Sequence, residues 1–241
     1  MGAETAKLLA RSGCAVALVA RRESELSALA ETIRAAGGTA FVYPHDVSDF
    51  GEVPALFQQI CRDLGGLDVI FYAAGVMPRI AVDEFDFAKD RLMIEVNVLG
   101  AIAWLNEAVV RFAATAQGKG TSPGGAGTIV GIGSVAGDRG RRGQPVYCTS
   151  KAALETYLEA LRNRVGRVGI RVVTIKPGPV DTPMTRGLDK LPLLIPAEEA
   201  ARQIVSASER GVRVAYIPGA WRYIMAVIRA IPSALFQKMN I

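Results

Sequence analysis

The stretch Thr128-Ile129-Val130-Gly131-Ile132-Gly133-Ser134 decides the fold. Its first five residues are apolar nearly throughout, the pattern of a strand buried on both faces rather than half-exposed. A helical window follows at 146–165, and a second run of the same kind stands at 171–175. Strand, helix and strand in that order need a crossover, and right-handed crossovers lay the two strands parallel. Working outward, matching runs stand at 15–20, 39–43 and 68–72 before it and at 213–217 after it. Helical windows fall at 23–36, 50–64, 85–115 and 196–209. This alternation predicts an α/β fold, a doubly wound parallel sheet built as a single domain over residues 1–241. The Gly/Ser/Pro-rich stretch 118–127 reads as a mobile surface loop, because the strand and helix rhythm resumes directly after it.

With 241 residues, half of them hydrophobic and 21% charged, the chain can bury a sizeable core, and disorder is excluded for its bulk. The three cysteines, Cys14, Cys61 and Cys148, are odd in number and form no CxxC pair. Neither a disulfide framework nor a zinc cage is indicated, and the cytoplasm is the expected location. His45 is the sole histidine, which excludes multi-histidine metal sites, and no metal is expected. The net charge is +5, yet no Lys/Arg run exceeds two residues, so nucleic acid is not an expected partner. A mildly basic enzyme holding a phosphorylated cofactor accounts for that balance. Arg222 and Arg229 interrupt the apolar tail, and Glu4 and Lys7 the start, so neither a transmembrane span nor a signal peptide is expected.

In doubly wound sheets, ligands sit beyond the carboxyl ends of the strands. Those ends carry Tyr72-Ala73-Ala74-Gly75, Gly133-Ser134 and Pro177-Gly178-Pro179-Val180-Asp181-Thr182, while Tyr147 and Lys151 open the helix between the last two. Four residues apart on a helix, Tyr147 and Lys151 share a face with Cβ atoms about 5–6 Å apart. A phenol titrates near ~10, too high for acid/base work at neutral pH, and a neighbouring ammonium lowers that value by favouring the phenolate. Ser134, just past a strand, can hydrogen-bond a substrate carbonyl beside the phenol. Two other chemistries fail on spacing. A serine-hydrolase elbow needs glycines where Ile132 and Ala136 stand, and a phosphate-binding P-loop through Gly118-Lys119 meets Ala113 and Gly120 at its other fixed positions.

Together these residues make the chain resemble, nearly from end to end, the short-chain dehydrogenases/reductases of the classical type. The resemblance implies a Rossmann-like dinucleotide-binding domain in which Ser134, Tyr147 and Lys151 match the family's catalytic serine, tyrosine and lysine. Asn97, in Asn97-Val98-Leu99-Gly100, matches the fourth catalytic residue. It also implies cofactor contacts from Asp46 and Val47 at the adenine, from Ala74 and Gly75, and from Pro177, Gly178, Val180 and Thr182 along the nicotinamide. Gly75 lets backbone approach the cofactor, and Thr182 offers its amide a hydroxyl. Tyr72-Ala73-Ala74-Gly75 departs from the family's usual Asn-Asn-Ala-Gly but keeps its Ala-Gly end. A homodimer or homotetramer is the assembly the resemblance implies.

The amino end departs further. Relatives begin with a strand and a Thr-Gly-x-x-x-Gly-x-Gly loop that cradles the pyrophosphate at a helix N-terminus. Here Gly2-Ala3-Glu4-Thr5-Ala6-Lys7-Leu8-Leu9-Ala10-Arg11-Ser12-Gly13 resembles the family's first helix, so Gly2 takes the third glycine's place. The expectation is a sheet lacking its first strand and most of the glycine loop, with an exposed edge on the next strand.

Cofactor preference is read at the end of the run 15–20. Where NAD-selective relatives carry an acidic residue stands Ala20, followed by Arg21 and Arg22. An arginine there can pair with a 2′-phosphate and no carboxylate repels it, so NADP(H) is expected over NAD. The basic loop 138–143 is expected at the site mouth, suiting an acidic substrate or carrier, and 221–241 reads as an amphipathic tail broken near Pro232. The resulting expectation is an NADP(H)-dependent oxidoreductase that interconverts a small-molecule carbonyl and an alcohol by hydride transfer. Tyr147 moves the proton, Lys151 lowers its pKa and holds the ribose, Ser134 orients the carbonyl and Asn97 supports a water-linked proton path. The competing reading is a non-catalytic or inactive binding or regulatory protein on a dinucleotide fold; the intact tetrad favours the enzyme and the absent glycines favour the remnant.

Overall fold

The computed structural model of the chain describes residues 1–117, 126–188 and 191–239, so most of the Gly/Ser/Pro-rich stretch read as a loop lies outside the described residues. Helix α1 (Gly2–Arg11) turns into strand β1 (Ala15–Ala20) at Gly13, whose φ of 85° favours glycine. Helix α2 (Glu23–Ala35), β2 (Thr39–Pro44), α3 (Val53–Asp63) and β3 (Val69–Tyr72) follow. Helix α4 (Phe87–Ile94) runs through a π-helical turn (Glu95–Leu99) into α5 (Gly100–Gln117). After β4 (Gly127–Ile132) come a 3-10 turn (Val135–Asp138), α6 (Pro145–Val165), β5 (Ile170–Pro177), β6 (Val180–Asp181) and β7 (Ile195–Pro196). Helix α7 (Ala197–Glu209), β8 (Val214–Ile217), α8 (Trp221–Ala230) and α9 (Ser233–Phe236) close the described chain.

Strands β3, β4, β5 and β8 form one parallel sheet in that order, with Ile132 in register with Ile175. Strands β1 and β2 form a separate parallel pair. Strand β4 is buried along its whole length and β5 nearly so, as apolar central strands should be. Burial on both faces does not hold for β1, β2, β3 and β8, which are partly exposed. The reason is position: each has a strand partner on one side only among the described residues. The open edge expected on β1 is therefore present. The pairing of β6 with β7, Val180 opposite Ile195, was not anticipated, because two residues carry no readable period.

Helices cover both faces of the four-stranded sheet. On one, Ile129 and Val172 pack with Trp104, Leu105, Phe112, Leu154 and Leu158, and this cluster takes in Ala17 and Val19 of β1 beside Ile70 of β3. On the other, Val130, Ile132, Val173 and Ile175 pack against Ala200 and Ile204 of α7. This is the doubly wound arrangement the sequence predicts. The run from Phe87 to Gln117 is long and apolar enough to cross a bilayer by length and composition alone, which the sequence reading did not anticipate. Trp104, Leu105, Ala108 and Phe112 of that run are buried in the core, and a core helix passes the same test.

Candidate active site

Strand β4 delivers Ser134. The N–H of Gly133 extends the sheet by donating to Ile175 O at 2.8 Å, and Ser134 then caps the 3-10 turn, its Oγ accepting from Ala136 N–H at 3.1 Å. The backbone N–H of Ser134 donates to the Glu155 carboxylate at 2.9 Å. Helix α6 opens on Pro145, which needs no N–H partner there, and presents Tyr147 and Lys151 one turn apart. The Lys151 ammonium lies 5.8 Å from the centre of the Tyr147 ring and donates to Ile132 O at 2.9 Å.

Asn97 sits in the π-helical turn, fully buried. Its Oδ1 accepts from Val76 N–H at 2.8 Å, and its Nδ2 donates to Val76 O and to Ser150 Oγ, each at 3.0 Å. Ser150 in turn donates to Tyr147 O at 2.8 Å. One amide therefore ties the loop after β3 to the helix that carries Tyr147 and Lys151. The structure brings Ser134, Tyr147 and Lys151 together past the end of β4, and Asn97 and Lys151 meet at Gly75. A Cβ added at Gly75 would stand 3.4 Å from both Asn97 Oδ1 and Lys151 Nζ.

The electrostatics differ from the expectation in one respect. Burial pushes the Tyr147 phenol up to about 12, against the opposing effect of its hydrogen bond with Ser134. Lys151, expected to lower it, is not among the groups that shift the phenol; burial dominates, and the neighbouring Glu155 charge adds to it. Burial likewise brings the Lys151 ammonium down to about 8, against the attraction of Glu155.

The residues read as cofactor contacts fall into three groups. At the end of β1, Arg21 pairs with Asp46 at 3.5 Å, whereas Arg22 turns away to Glu25 at 2.9 Å. Although burial works the other way, hydrogen bonds from Ser48 and the Arg21 charge hold the Asp46 carboxyl below its usual range. The Val47 carbonyl lies against Gly100, at the start of α5. Gly2 lies beside the loop after β3, where a Cβ on it would stand 3.4 Å from the Ala73 methyl, and Ala74 packs on the core cluster. Beyond β5, Gly178 donates to Ile217 O at 2.8 Å, and the Trp221 indole occupies the space a Cβ at Gly178 would need. Pro177 and Val180 are buried, and Thr182 is held by Thr185, whose hydroxyl also donates to Val180 O at 2.6 Å. Thr185, Ser150 and Glu155 escaped the sequence reading: each acts through hydrogen bonds that only the folded chain creates. The loop 138–143 does not offer Arg139 to a substrate, because that guanidinium is engaged with the carbonyls of Ile228, Arg229 and Ile231.

The sequence model of the family described as short chain dehydrogenase matches residues 1–191. The chain belongs to the short-chain dehydrogenases. An uncharacterised oxidoreductase of Mycobacterium tuberculosis is 32% identical over the whole of this chain and 69% of its own length. Another from Myxococcus xanthus is 29% identical over 98% of this chain and 90% of its own. Among solved structures, a doubly mutated Serratia marcescens short-chain dehydrogenase/reductase is 26% identical and superposes with a TM-score of 0.77, covering 91% of this chain and 92% of that one. The protein is thus a short-chain dehydrogenase with the Rossmann-like α/β fold, an oxidoreductase of a family that binds nicotinamide dinucleotides and acts on small molecules.

The residues present fit such a dinucleotide at its ribose end. Lys151 is buried, and of its three N–H donors the described residues occupy one. A vicinal diol beside Gly75 suits the other two. At the other end, the first N–H groups of α1, opening at Gly2 beside Ala73, suit an anion.

Proposed function

We propose that this short-chain dehydrogenase interconverts a small-molecule carbonyl and an alcohol with NADP(H), and that Asn97, Ser134, Tyr147 and Lys151 are its catalytic residues. The observation that carries this is the convergence of Tyr147, Lys151 and Ser134 at one strand end, with the Lys151 ammonium buried and two of its donors not engaged by any of the described residues. A bound nicotinamide supplies or accepts the hydride. Tyr147, held neutral by burial, donates its proton to the carbonyl oxygen in the reducing direction. Ser134 orients that oxygen through its hydroxyl, and Lys151, still cationic at neutral pH, stabilises the phenolate as it forms. Asn97 fixes the loop at Val76 and the helix at Ser150, which holds these groups in mutual reach.

The preference for the phosphorylated dinucleotide rests on Arg21, exposed beside Asp46 at the end of β1, with Ala20 in place of a carboxylate. Cytoplasmic location and a homodimeric or homotetrameric assembly belong to the same reading. The test is oxidation of NADPH by the purified chain across a panel of ketones and aldehydes, with the alcohol identified as product. Binding of NADPH without turnover on any of them favours a non-catalytic dinucleotide-binding protein instead.

A further inference from the structure

Helix α6 carries a third polar group on the face of Tyr147 and Lys151. Glu155 follows Lys151 by one turn and is buried, with its Oε1 on the Ser134 N–H at 2.9 Å and its Oε2 on the Lys176 ammonium at 2.8 Å. Lys176 also binds Asp138, whose second oxygen accepts from Tyr216 OH at 2.8 Å. The chain around Ser134 is shaped to this carboxylate: a Cβ at Gly133 would fall 2.5 Å from Glu155 Oε1, and one at Gly137 2.7 Å from it. No side chain but hydrogen fits at either position without moving the carboxylate.

We infer that Glu155 is a positioning residue: by holding the Ser134 backbone through its own clamp on Lys176, it fixes the Ser134 hydroxyl opposite the Tyr147 phenol. A carboxylate is stronger in this task than a neutral acceptor, because a charge-assisted bond to a backbone N–H is shorter and about twice as strong. Its charge has a second effect. Glu155 raises both Lys151 and Tyr147, opposing burial at the first and adding to it at the second. The other charged or titratable groups around it are Lys176 on β5, Asp138 on the 3-10 turn, Tyr216 on β8, and Glu159, Arg162 and Arg229 along the adjoining cleft.

The inference rests on the reductase reading, and its test separates the two. In Glu155→Gln the amide oxygen still accepts from Ser134, so kcat falls less than about tenfold, while the pH profile of kcat moves about one unit lower because Lys151 and Tyr147 both lose a neighbouring negative charge. In Glu155→Leu the acceptor is gone. There kcat falls about a hundredfold with KM little changed, and hydrogen exchange at the Ser134 amide rises about a hundredfold while the amides of Ile129 and Val173 stay protected. If the leucine variant does not fold, the pH profile of the glutamine variant carries the test. Parent kcat and an unmoved pH profile in Glu155→Gln, or unchanged Ser134 exchange in Glu155→Leu, overturns the inference. An inactive parent defeats the reductase reading alone, because the exchange measurement needs no turnover.

Discussion

The Tyr72 hydroxyl donates to the carbonyl oxygen of Val96 at 2.6 Å, inside the core. A π-helical turn withdraws carbonyls from the regular helical ladder, and Val96 precedes Asn97 in that turn. Tyr72 therefore braces the backbone on which Asn97 stands. Replacing it with Phe leaves a buried carbonyl without its partner, at a cost of about 1–3 kcal/mol in unfolding free energy. Denaturant unfolding should register that loss, and reductase activity should fall with it; a Tyr72→Phe chain of parent stability removes the brace.

Tyr147→Phe deletes the phenolic proton and keeps the ring. Carbonyl reduction should nearly vanish while the circular dichroism spectrum is unchanged. Residual turnover within about tenfold of the parent, a barrier difference of only ~1.4 kcal/mol, would show that another group donates the proton.

Arg21 is half-committed to Asp46 in a long, exposed ion pair, which leaves it available to a phosphate. Arg21→Ala combined with Ala20→Asp should shift the ratio of kcat/KM for NADPH over NADH by about ten- to a hundredfold toward NADH, the worth of one charge-assisted contact. Arg22→Ala should change the ratio little, since that side chain faces Glu25. Equal use of both dinucleotides by the parent refutes the role given to Arg21.

Lys151 titrates near 8 in the folded chain against an ordinary 10.5. Between those values the unfolded chain holds a proton that the folded chain has released, so this group adds to stability as pH rises through the window and costs stability below it. Unfolding of the parent and of Lys151→Met, compared from pH 7 upward, should move in the parent's favour by as much as about 3 kcal/mol by the top of that window. A difference independent of pH means that the lysine is not desolvated.

Arg139 closes the end of α8, donating to Ile228 O and Ile231 O at 2.7 Å and lying over the Phe236 ring at 4.1 Å. Arg139→Ala should cost about 1–3 kcal/mol and speed proteolytic release of the tail beyond Ile231. Unaltered proteolysis would mean that Trp221 and Met225, packed on Val135, hold the tail by themselves.

The six apolar runs were legible because strand burial leaves a mark in consecutive residues, and each strand read from them lies within two residues of its expected bounds. Tyr147 and Lys151 were legible as a motif at a helix start, Ser134 by its place just past a strand, and Asn97 by its resemblance to the family motif. What holds them was not. Glu155 and Lys176 lie on different elements and look, in sequence, like ordinary charged positions; only the crossover brings them together behind Ser134. Ser150 reads as a filler between Tyr147 and Lys151 until Asn97 reaches it across the fold. The phenol's direction of shift was misjudged for a related reason: spacing reveals a neighbouring charge but not the depth of burial.

The two ladders divide the labour of the molecule. Ser134 and Gly75 follow strands of the four-membered sheet, while Arg21 and Asp46 follow the β1–β2 pair, and among the described residues no backbone ladder bond couples the one to the other. Side chains of both, Val19 of one and Ile70 of the other, pack on the same core cluster and help set the spacing between them. That spacing works as a caliper on anything that spans both. Trimming a methylene from its jaws, as in Val19→Ala, alters the separation of the two strand ends while each end keeps the geometry of its own ladder.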